Sequence, residues 1–353
     1  MLKKGSTAAV TCIASAMLLS GCGLFQTDQA KTEIDPPQNV TYVKEDKNEK
    51  QTAKESKEEK QADTVMRELY LIDKDGYVVS QSIPLPKSEG TARQTLEYLV
   101  DGGPISDLLP NGFRAVLPAD TSVSVDIKDG TAVVDFSNEF KNYKKEDEQR
   151  ILQSVTWTLT QFDSISKVKL KMNGHDLKEM PVNGTPISED LSREDGINIQ
   201  HEAVTDMTAT QPVTVYYLSQ SDDTTYYVPV TKRTSKEEDD PITAAIDQLV
   251  SGPSKTSNLL TDFDQDVKLV SAPKIKDGHV TLDFNESIFG SADEKKKVIS
   301  QKVLDSIVLT LTEQPNVKSV SVKVNGKAEL VNEKGTELTK PVSRPDRVNT
   351  GSF

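Results

Sequence analysis

Residues 127–136 read IKDGTAVVDF, and residues 275–284 read IKDGHVTLDF. In both stretches apolar residues alternate with polar ones on either side of an Asp-Gly pair, which is the pattern of a β-hairpin with a two-residue turn. The alternation places the apolar side chains on one face of each hairpin. That face has to be covered, and the segments around each hairpin indicate what covers it.

A long amphipathic helix is predicted after each hairpin. Its apolar side chains recur with helical spacing at Ile151, Leu152, Val155, Leu159 and Phe162 in the first copy and at Val303, Leu304, Ile307 and Leu311 in the second. A shorter helix precedes each hairpin, over residues 91–101 and 242–250. The sequence therefore predicts an α+β fold in which, in each copy, two helices pack on one face of a β-sheet.

The two copies match over more than the hairpin. Thr158-Leu159-Thr160 recurs as Thr310-Leu311-Thr312, and Asn173-Gly174 recurs as Asn325-Gly326. The offset is about 150 residues, which is far longer than the repeats of stacked solenoids. We therefore expect a duplicated domain.

The limits of the duplicated segments set the predicted domain organisation. We place the two folded units at residues 67–185 and 212–343. The stretch between them is rich in Ser, Thr, Asp and Glu, so residues 186–211 are predicted to be a linker. Residues 344–353 are predicted to be a flexible tail.

The N-terminus has the pattern of a bacterial lipoprotein signal. Lys3 and Lys4 precede an apolar stretch over residues 8–19, which is too short to span a bilayer. Residues 19–22 read LSGC and resemble the lipobox, in which the cysteine is acylated before cleavage. We therefore predict a signal peptide over residues 1–21 and a lipid-bearing Cys22. The alternative is an ordinary secretory signal that contains a cysteine.

Residues 22–66 are predicted to form a disordered tether. The stretch from Lys44 to Asp63 is rich in lysine and acidic residues and has no large apolar side chain. Burial of apolar surface therefore cannot offset the conformational entropy that this segment would lose on folding. A single exposed helix held by Glu–Lys pairs four residues apart is the alternative. In either conformation the segment is a spacer between the membrane and the folded units.

The composition excludes several classes of function. The 55 acidic residues outnumber the 42 basic ones, for a formal charge of −13, so nucleic acid is not expected to be a partner. Two cysteines and three histidines are too few for a disulfide framework or a Cys/His zinc cluster. The motifs of serine hydrolases, zinc proteases and P-loop enzymes are absent from the sequence. We predict no catalytic residue, no metal and no cofactor.

A row of lysines is the first candidate for an interaction surface. Lys167, Lys169 and Lys171 alternate with apolar residues on the last strand of the first copy. Because neighbouring residues of a strand point to opposite faces, the lysines are expected to face away from the core. A merely solvated strand face is the alternative.

Two tyrosine pairs are the second candidate. Tyr216-Tyr217 and Tyr226-Tyr227 lie on the two strands of the hairpin that opens the second copy. One ring of each pair is expected at the surface, where it could stack on a sugar or on a partner protein. Packing between the strands of the hairpin is the alternative.

The lipobox, the charged spacer and the two copies of the hairpin with their L-T and N-G endings resemble the tandem GerMN domains of sporulation and germination lipoproteins from endospore-forming bacteria. The resemblance covers essentially the whole chain. It implies domains similar to ring-building motifs and a non-catalytic, lipid-anchored envelope protein that is required for sporulation and germination. The implied partners are the membrane, reached through the lipid, and the proteins of the channel complex between mother cell and forespore, in whose assembly or localisation the protein would act.

The implied location is the outer face of the cell membrane and, in sporulating cells, the space between the mother-cell and forespore membranes. Two other classes of protein stay open. A peptidoglycan-binding or glycan-binding envelope lipoprotein is supported only by the tyrosine pairs. A solute-binding lipoprotein usually has two interwoven lobes, whereas each copy here is self-contained.

Overall fold

The computed structural model describes residues 63–200, 209–221, 224–235, 240–290, 297–328 and 330–350. The predicted signal peptide, Cys22 and the tether up to residue 62 lie outside these residues. The sequence predicts a tether that extends to residue 66, but the first strand begins at Thr64, which pairs with Pro86. That boundary is therefore wrong, because backbone pairing with the neighbouring strand holds residues whose side chains show no apolar pattern.

Within the described residues, the first repeat consists of three hairpin or edge strands, two helices and a four-stranded sheet. In chain order these elements are β1 Thr64–Asp73, β2 Val78–Pro86, α1 Thr91–Glu97, β3 Phe113–Arg114, β4 Val123–Lys128, β5 Thr131–Phe136, α2 Glu148–Leu159, β6 Lys167–Met172 and β7 His175–Asp176. The second repeat follows the same order. Its elements are β8 Thr210–Ser221, β9 Thr224–Ser235, α3 Pro241–Ser251, β10 Lys274–Lys276, β11 His279–Phe284, β12 Val298–Ile299, α4 Gln301–Thr312, β13 Ser319–Val324, β14 Val331–Asn332 and β15 Val342–Ser343.

Each repeat is built around a mixed sheet. Its strand order is β4-β5-β6-β7 in the first repeat and β10-β11-β13-β15 in the second. The central pair is parallel in both, β5 with β6 and β11 with β13, while the outer pairs are antiparallel. A parallel pair needs a crossover connection, and the long helix of each repeat, α2 or α4, supplies it.

The Asp-Gly and Asn-Gly pairs form the tight turns of these sheets. Asp129 and Gly130 have φ of 50° and 78°, and Asn173 and Gly174 have φ of 50° and 79°. Two successive residues with positive φ define a type I′ turn, which Asp-Gly and Asn-Gly adopt readily. The second repeat has the same signs at the equivalent positions.

The predicted α+β fold is confirmed, with one addition. Helix α2 contacts β6 of the mixed sheet and also both strands of the hairpin β1–β2, which pair with each other rather than with that sheet. Residues on all sides of α2 are consequently buried, among them Ser154, Trp157 and Thr158. The hairpin therefore forms a further layer that encloses the helix.

Each repeat has its own apolar core. The first core gathers around α2, with Ile151, Val155 and Leu159 fully buried. The second gathers around α4 in the same way. Val79 of the first hairpin belongs to the core of the second repeat, which indicates that the two repeats pack against each other at their hairpins.

Candidate functional site at the junction between the repeats

The two repeats meet along the outer edges of their hairpins, where β2 lies next to β9. Each repeat is followed by a short segment that fills this contact. We call residues 193–200 arm 1 and residues 344–350 arm 2. The hydrogen bonds of the two arms define how the repeats are joined.

Arm 1 carries Asn198, whose side-chain amide joins the two hairpins. Its Oδ1 accepts a hydrogen bond from the Val78 backbone N–H at 2.8 Å, and its Nδ2 donates to the Val78 carbonyl at 2.7 Å. The same Nδ2 donates to the carbonyl of Pro229, in the second repeat, at 2.8 Å. One residue earlier, the Ile197 N–H donates to the Thr231 hydroxyl and the Thr231 N–H donates to the Ile197 carbonyl.

Arm 2 repeats this pattern with the repeats interchanged. Asn349 Oδ1 accepts from the Tyr227 N–H at 2.7 Å, and its Nδ2 donates to the Tyr227 carbonyl and to the Ser80 carbonyl of the first repeat at 2.7 and 2.9 Å. The Val348 N–H donates to the Ser82 hydroxyl at 2.8 Å, and the Ser82 N–H donates to the Val348 carbonyl at 3.1 Å.

The roles of the two arms are therefore related by a pseudo-twofold exchange. The asparagine of each arm bonds both strands, β2 and β9. The residue before the asparagine bonds only the strand that belongs to the other repeat. Every contact position on β2 has a counterpart on β9, namely Val78 with Tyr227, Ser80 with Pro229 and Ser82 with Thr231. The junction is thus nearly self-complementary, as in a symmetric dimer.

The described parts of the predicted linker and tail are not free segments, so both predictions are wrong for those parts. Ile197 is fully buried and Val348 is 2% exposed. The remaining residues of the linker, 201–208, and of the tail, 351–353, lie outside the described residues. Sequence reasoning missed the arms because a single apolar side chain in a polar stretch has no periodicity, and its burial comes from a distant repeat.

Asparagine suits the central position of each arm for two reasons. Its amide presents one acceptor and two donors, which together can complement the N–H and C=O groups of a strand edge. Asn198 and Asn349 also have positive φ, 46° and 54°, a conformation that asparagine tolerates better than most residues do. A sequence signal for the arms exists, since Ser192-Arg193 and Asn198 recur as Ser343-Arg344 and Asn349 with one offset. All of these residues except Ser343 lie outside the limits assigned to the two copies.

An ionic cluster crosses the junction beside the arms. Glu313, at the end of α4, has a side chain that is 6% exposed and pairs with Arg193 of arm 1 and with Arg344 of arm 2. Arg344 also pairs with Glu68 of β1 at 3.4 Å, and the Tyr216 hydroxyl donates to Glu313 at 2.7 Å. The cluster therefore joins both repeats and both arms.

The charges of this cluster are mutually dependent. Burial alone would raise the pKa of the Glu313 carboxyl, but Arg193 and Arg344 outweigh burial and hold that pKa below its ordinary value. Arg193 also lies over the ring of Trp157, with 4.4 Å between the guanidinium carbon and the ring centroid, in cation–π geometry. The two arginines consequently favour the ionised form of Glu313.

A second polar contact joins the repeats near the tips of their hairpins. The Tyr226 hydroxyl donates to the Asp73 carboxylate at 2.9 Å, and the ring of Tyr226 meets Phe113 edge to face with centroids 5.2 Å apart. Burial raises the pKa of Asp73, against the lowering effect of hydrogen bonds from the Tyr77 backbone and from Tyr226. The junction thus extends from the arms to the hairpin turn.

The tyrosine pairs are not a surface, so the expectation that one ring of each pair is exposed is wrong. Tyr216, Tyr217 and Tyr226 are at most 3% exposed, and Tyr227 is partly buried. Tyr217 donates to carbonyls at the end of α3, while Tyr227 donates to Asp305 on α4. Both faces of this hairpin are therefore covered, the face of Tyr217 by α3 and the face of Tyr227 by α4, which strand alternation alone does not reveal.

The lysine row does lie on the outer face of its sheet. The side chains of Lys167, Lys169 and Lys171 are 50, 42 and 34% exposed. Each is paired within the chain: Lys167 and Lys169 with Asp190, and Lys171 with Asp176. The row is therefore accessible, with part of its charge balanced by neighbouring carboxylates.

The repeated sequence motifs have structural roles in both repeats. The Thr158 and Thr310 hydroxyls accept hydrogen bonds from the backbone N–H of Tyr70 and Tyr216, so the helix closes the inner edge of each hairpin. Asp135 accepts from the N–H of Gly174 at 3.0 Å, and Asp283 makes the same bond to Gly326. The aspartate of each D-F pair thus fixes the Asn-Gly turn of its own repeat.

Neither a metal-ligand cluster nor a membrane-spanning helix is present among the described residues. No three His, Cys, Asp or Glu side chains of this part of the chain come together as metal ligands. Likewise, none of the helices described has both the length and the apolar character needed to cross a membrane.

Comparison with known proteins gives consistent matches over the whole chain. The sequence pattern of the family described as "Germane: Sporulation and spore germination" matches residues 68–178 and 214–330. A relative named spore germination protein GerM, from Bacillus subtilis strain 168, is 69% identical over the full length of both chains. A solved structure of the tandem GerMN domains of the sporulation protein GerM from Bacillus subtilis is 73% identical, covers 81% of this chain and all of its own, and has a TM-score of 0.77.

These matches cover both repeats, including the hairpins and the long helices on which the junction is built. The solved structure confirms the paired GerMN fold that the repeated motifs indicate. Family and relative agree on sporulation and germination as the setting in which such proteins act. The chain belongs to the Germane family of sporulation and spore germination proteins.

Proposed function

We propose that the protein is a non-catalytic envelope protein of sporulating cells, anchored by a lipid on Cys22, that acts as an assembly or localisation module of the channel complex between mother cell and forespore. The observation that carries this proposal is the full-length identity of 69% to a spore germination protein. Two folded repeats joined through buried side chains supply a rigid body with two similar outer sheets, which suits a role in assembly.

The anchor rests on the sequence LSGC at residues 19–22. Two or three acyl chains on one residue hold a protein firmly at a membrane, whereas a single chain is marginal. In the Cys22→Ala variant we expect no incorporation of a labelled fatty acid and a chain that leaves the membrane fraction. Label incorporated into that variant would contradict the anchor but leave the role in assembly open.

The lysine row is the surface that we assign to a partner, because it is accessible and belongs to no core. Charge-neutral Lys167→Gln, Lys169→Gln and Lys171→Gln substitutions, made together, should reduce cross-linking to the channel complex in sporulating cells. Asp190→Asn is the matched control, since it breaks the same ion pairs with Lys167 and Lys169 but keeps every lysine charge. An equal loss in both variants would mean that the ion pairs matter for the fold and that the lysines are not a docking surface.

The experiment that tests the function itself is co-purification from sporulating cells after cross-linking. We expect proteins of the mother cell–forespore channel complex among the cross-linked products of the full chain. Hydrolysis of wall glycan by the purified chain would overturn the proposal. The structure gives little support to glycan binding, because Tyr216, Tyr217 and Tyr226 are buried and Tyr227 is partly buried.

A further inference from the structure

The junction between the repeats has the construction of an interface between two separate proteins. Each repeat has its own apolar core, and the bonds of the arms follow a pseudo-twofold exchange. The same contacts can form within one chain or between two chains, and exchange of identical elements between copies is a low-cost route to association. We propose that this junction is also the surface through which copies of this chain associate, the first repeat of one copy pairing with the second repeat of another.

The atoms of the junction support a second copy as the occupant. The cross-repeat bonds made by Ile197, Asn198, Val348 and Asn349 join groups that every copy of the chain carries. The same is true of the ion pairs from Arg193 to Glu313 and from Arg344 to Glu68. In a pair formed between two chains, each of these polar groups can therefore make the same bond that it makes within one chain.

The two arrangements differ only in how the paired repeats are connected. Within one chain the second repeat is held at a high effective concentration, so the closed monomer dominates in dilute solution. Raising the concentration of chains favours pairing between copies, because that step is bimolecular. Two copies that exchange repeats form a closed dimer, and longer successions form rings or filaments. The inference is independent of the complex that the protein joins.

The test uses two full chains, each carrying Cys12→Ser and Cys22→Ser and an N-terminal tag of its own. One chain has Ser82→Cys and the other has Val348→Cys. These positions exchange two hydrogen bonds across the junction, and both are at most 2% exposed, so chance collisions cannot link them. The chains are produced together and oxidised after purification, and a disulfide-linked heterodimer is expected whose cross-linked fraction rises with concentration.

Three controls make the result decisive. A chain with both Ser82→Cys and Val348→Cys should form the link within itself, which establishes that the geometry permits it. Asn142→Cys, at an exposed position away from the junction, should not link to the Ser82→Cys chain. Adding Asn349→Asp to the Val348→Cys chain keeps a residue that tolerates positive φ and removes the same amide bonds from the closed monomer and from the pair formed between chains, so the yield of heterodimer should stay about the same.

The reciprocal pair, Ile197→Cys in one chain and Thr231→Cys in the other, examines the other half of the junction. The inference is overturned if neither pair gives a heterodimer at any concentration while the doubly substituted chain links within itself. It is also overturned if heterodimer forms equally well with Asn142→Cys. Loss of cross-linking to the channel complex without loss of the heterodimer would count against the proposed function and leave this inference standing.

Discussion

Gln161 and Glu313 stand at equivalent positions, just after the long helices of the first and second repeats, and their side chains do different things. Gln161 accepts from the backbone N–H of Glu68 and donates to the Glu68 carbonyl, at 3.0 and 2.7 Å, so it extends the closure of the hairpin edge within its own repeat. Glu313 instead binds Arg193 and Arg344, which belong to the arms.

The difference distinguishes the residues that fold each repeat from those that join the two. Where a repeat folds on itself, its residues recur unchanged, as with Thr158 and Thr310 or Asp135 and Asp283. In the ionic cluster where the repeats meet, Arg193 and Arg344 also recur, but Glu313 is charged and its equivalent Gln161 is not. The duplicated fold is thus symmetric, whereas the ionic cluster of the junction is specialised.

The largest loss of stability is expected in the apolar cores, which are equivalent in the two repeats. Leu159 and Leu311 are fully buried at equivalent positions, so Leu159→Ala and Leu311→Ala should each lower the free energy of unfolding by about 2–5 kcal/mol. Urea unfolding measures both losses. Val182→Ala, at a position 44% exposed, should cost under about 0.5 kcal/mol. A large effect in one repeat only would show that the cores are not equivalent.

The next largest loss of stability is expected in the ionic cluster of the junction, where the two repeats differ. Glu313→Gln gives the second repeat the residue of the first and leaves Arg193 and Arg344 without their shared carboxylate. We expect the free energy of unfolding to fall by about 1.5–3 kcal/mol, as for other hydrogen bonds to charged groups. Glu89→Gln removes an exposed carboxylate and is the control. If both variants unfold alike, the cluster contributes nothing to the pairing of the repeats.

The same variant should change how stability depends on pH. The folded-state pKa of Glu313 is lowered, so its contribution is present above the unfolded value of about 4.3 and is lost as pH falls through the folded value. The stability difference between the natural chain and Glu313→Gln should therefore shrink below about pH 4. The pKa of Asp73 is raised rather than lowered, but Asp73 is present in both proteins, so its contribution cancels in the difference. A gap that stays constant with pH contradicts the ionised cluster.

The smallest effect concerns the hairpin edges. Thr158→Val and Thr310→Val keep the shape of the side chain but leave the N–H of Tyr70 or Tyr216 without its acceptor. Each should lower stability by about 1 kcal/mol, and the two losses should match because the contacts match. Amide hydrogen exchange at Tyr70 and Tyr216 gives the local measurement. Unchanged protection at both sites would exclude this role for the threonines.

The sequence was sufficient to predict the fold of each repeat. Alternation over residues 127–136 and helical spacing from Ile151 to Leu159 are patterns within short segments. They identify the apolar faces of the hairpin and of the helix, which pack together within one repeat. The junction could not be predicted in this way. Ile197 and Val348 are buried by a repeat that is distant in the chain. Tyr216 lies on a hairpin whose two faces are both covered, so strand alternation could not predict that its side chain is buried. The recurrence of Ser192-Arg193 and Asn198 as Ser343-Arg344 and Asn349 is the sequence signal that accompanies the arms.

The hydrogen bond between Ser82 and Val348 spans 266 residues of sequence, and this separation has a consequence in time. A ribosome adding about 5–20 residues per second needs about 13–50 s to make the intervening chain. During that whole interval the outer edge of β2 lacks arm 2, and it lacks arm 1 and β9 until they too have been made. An open strand edge readily pairs with other chains. The nascent protein therefore passes through a period in which its first repeat is folded but exposed to wrong pairing, and factors that bind unpaired strands should act on it then.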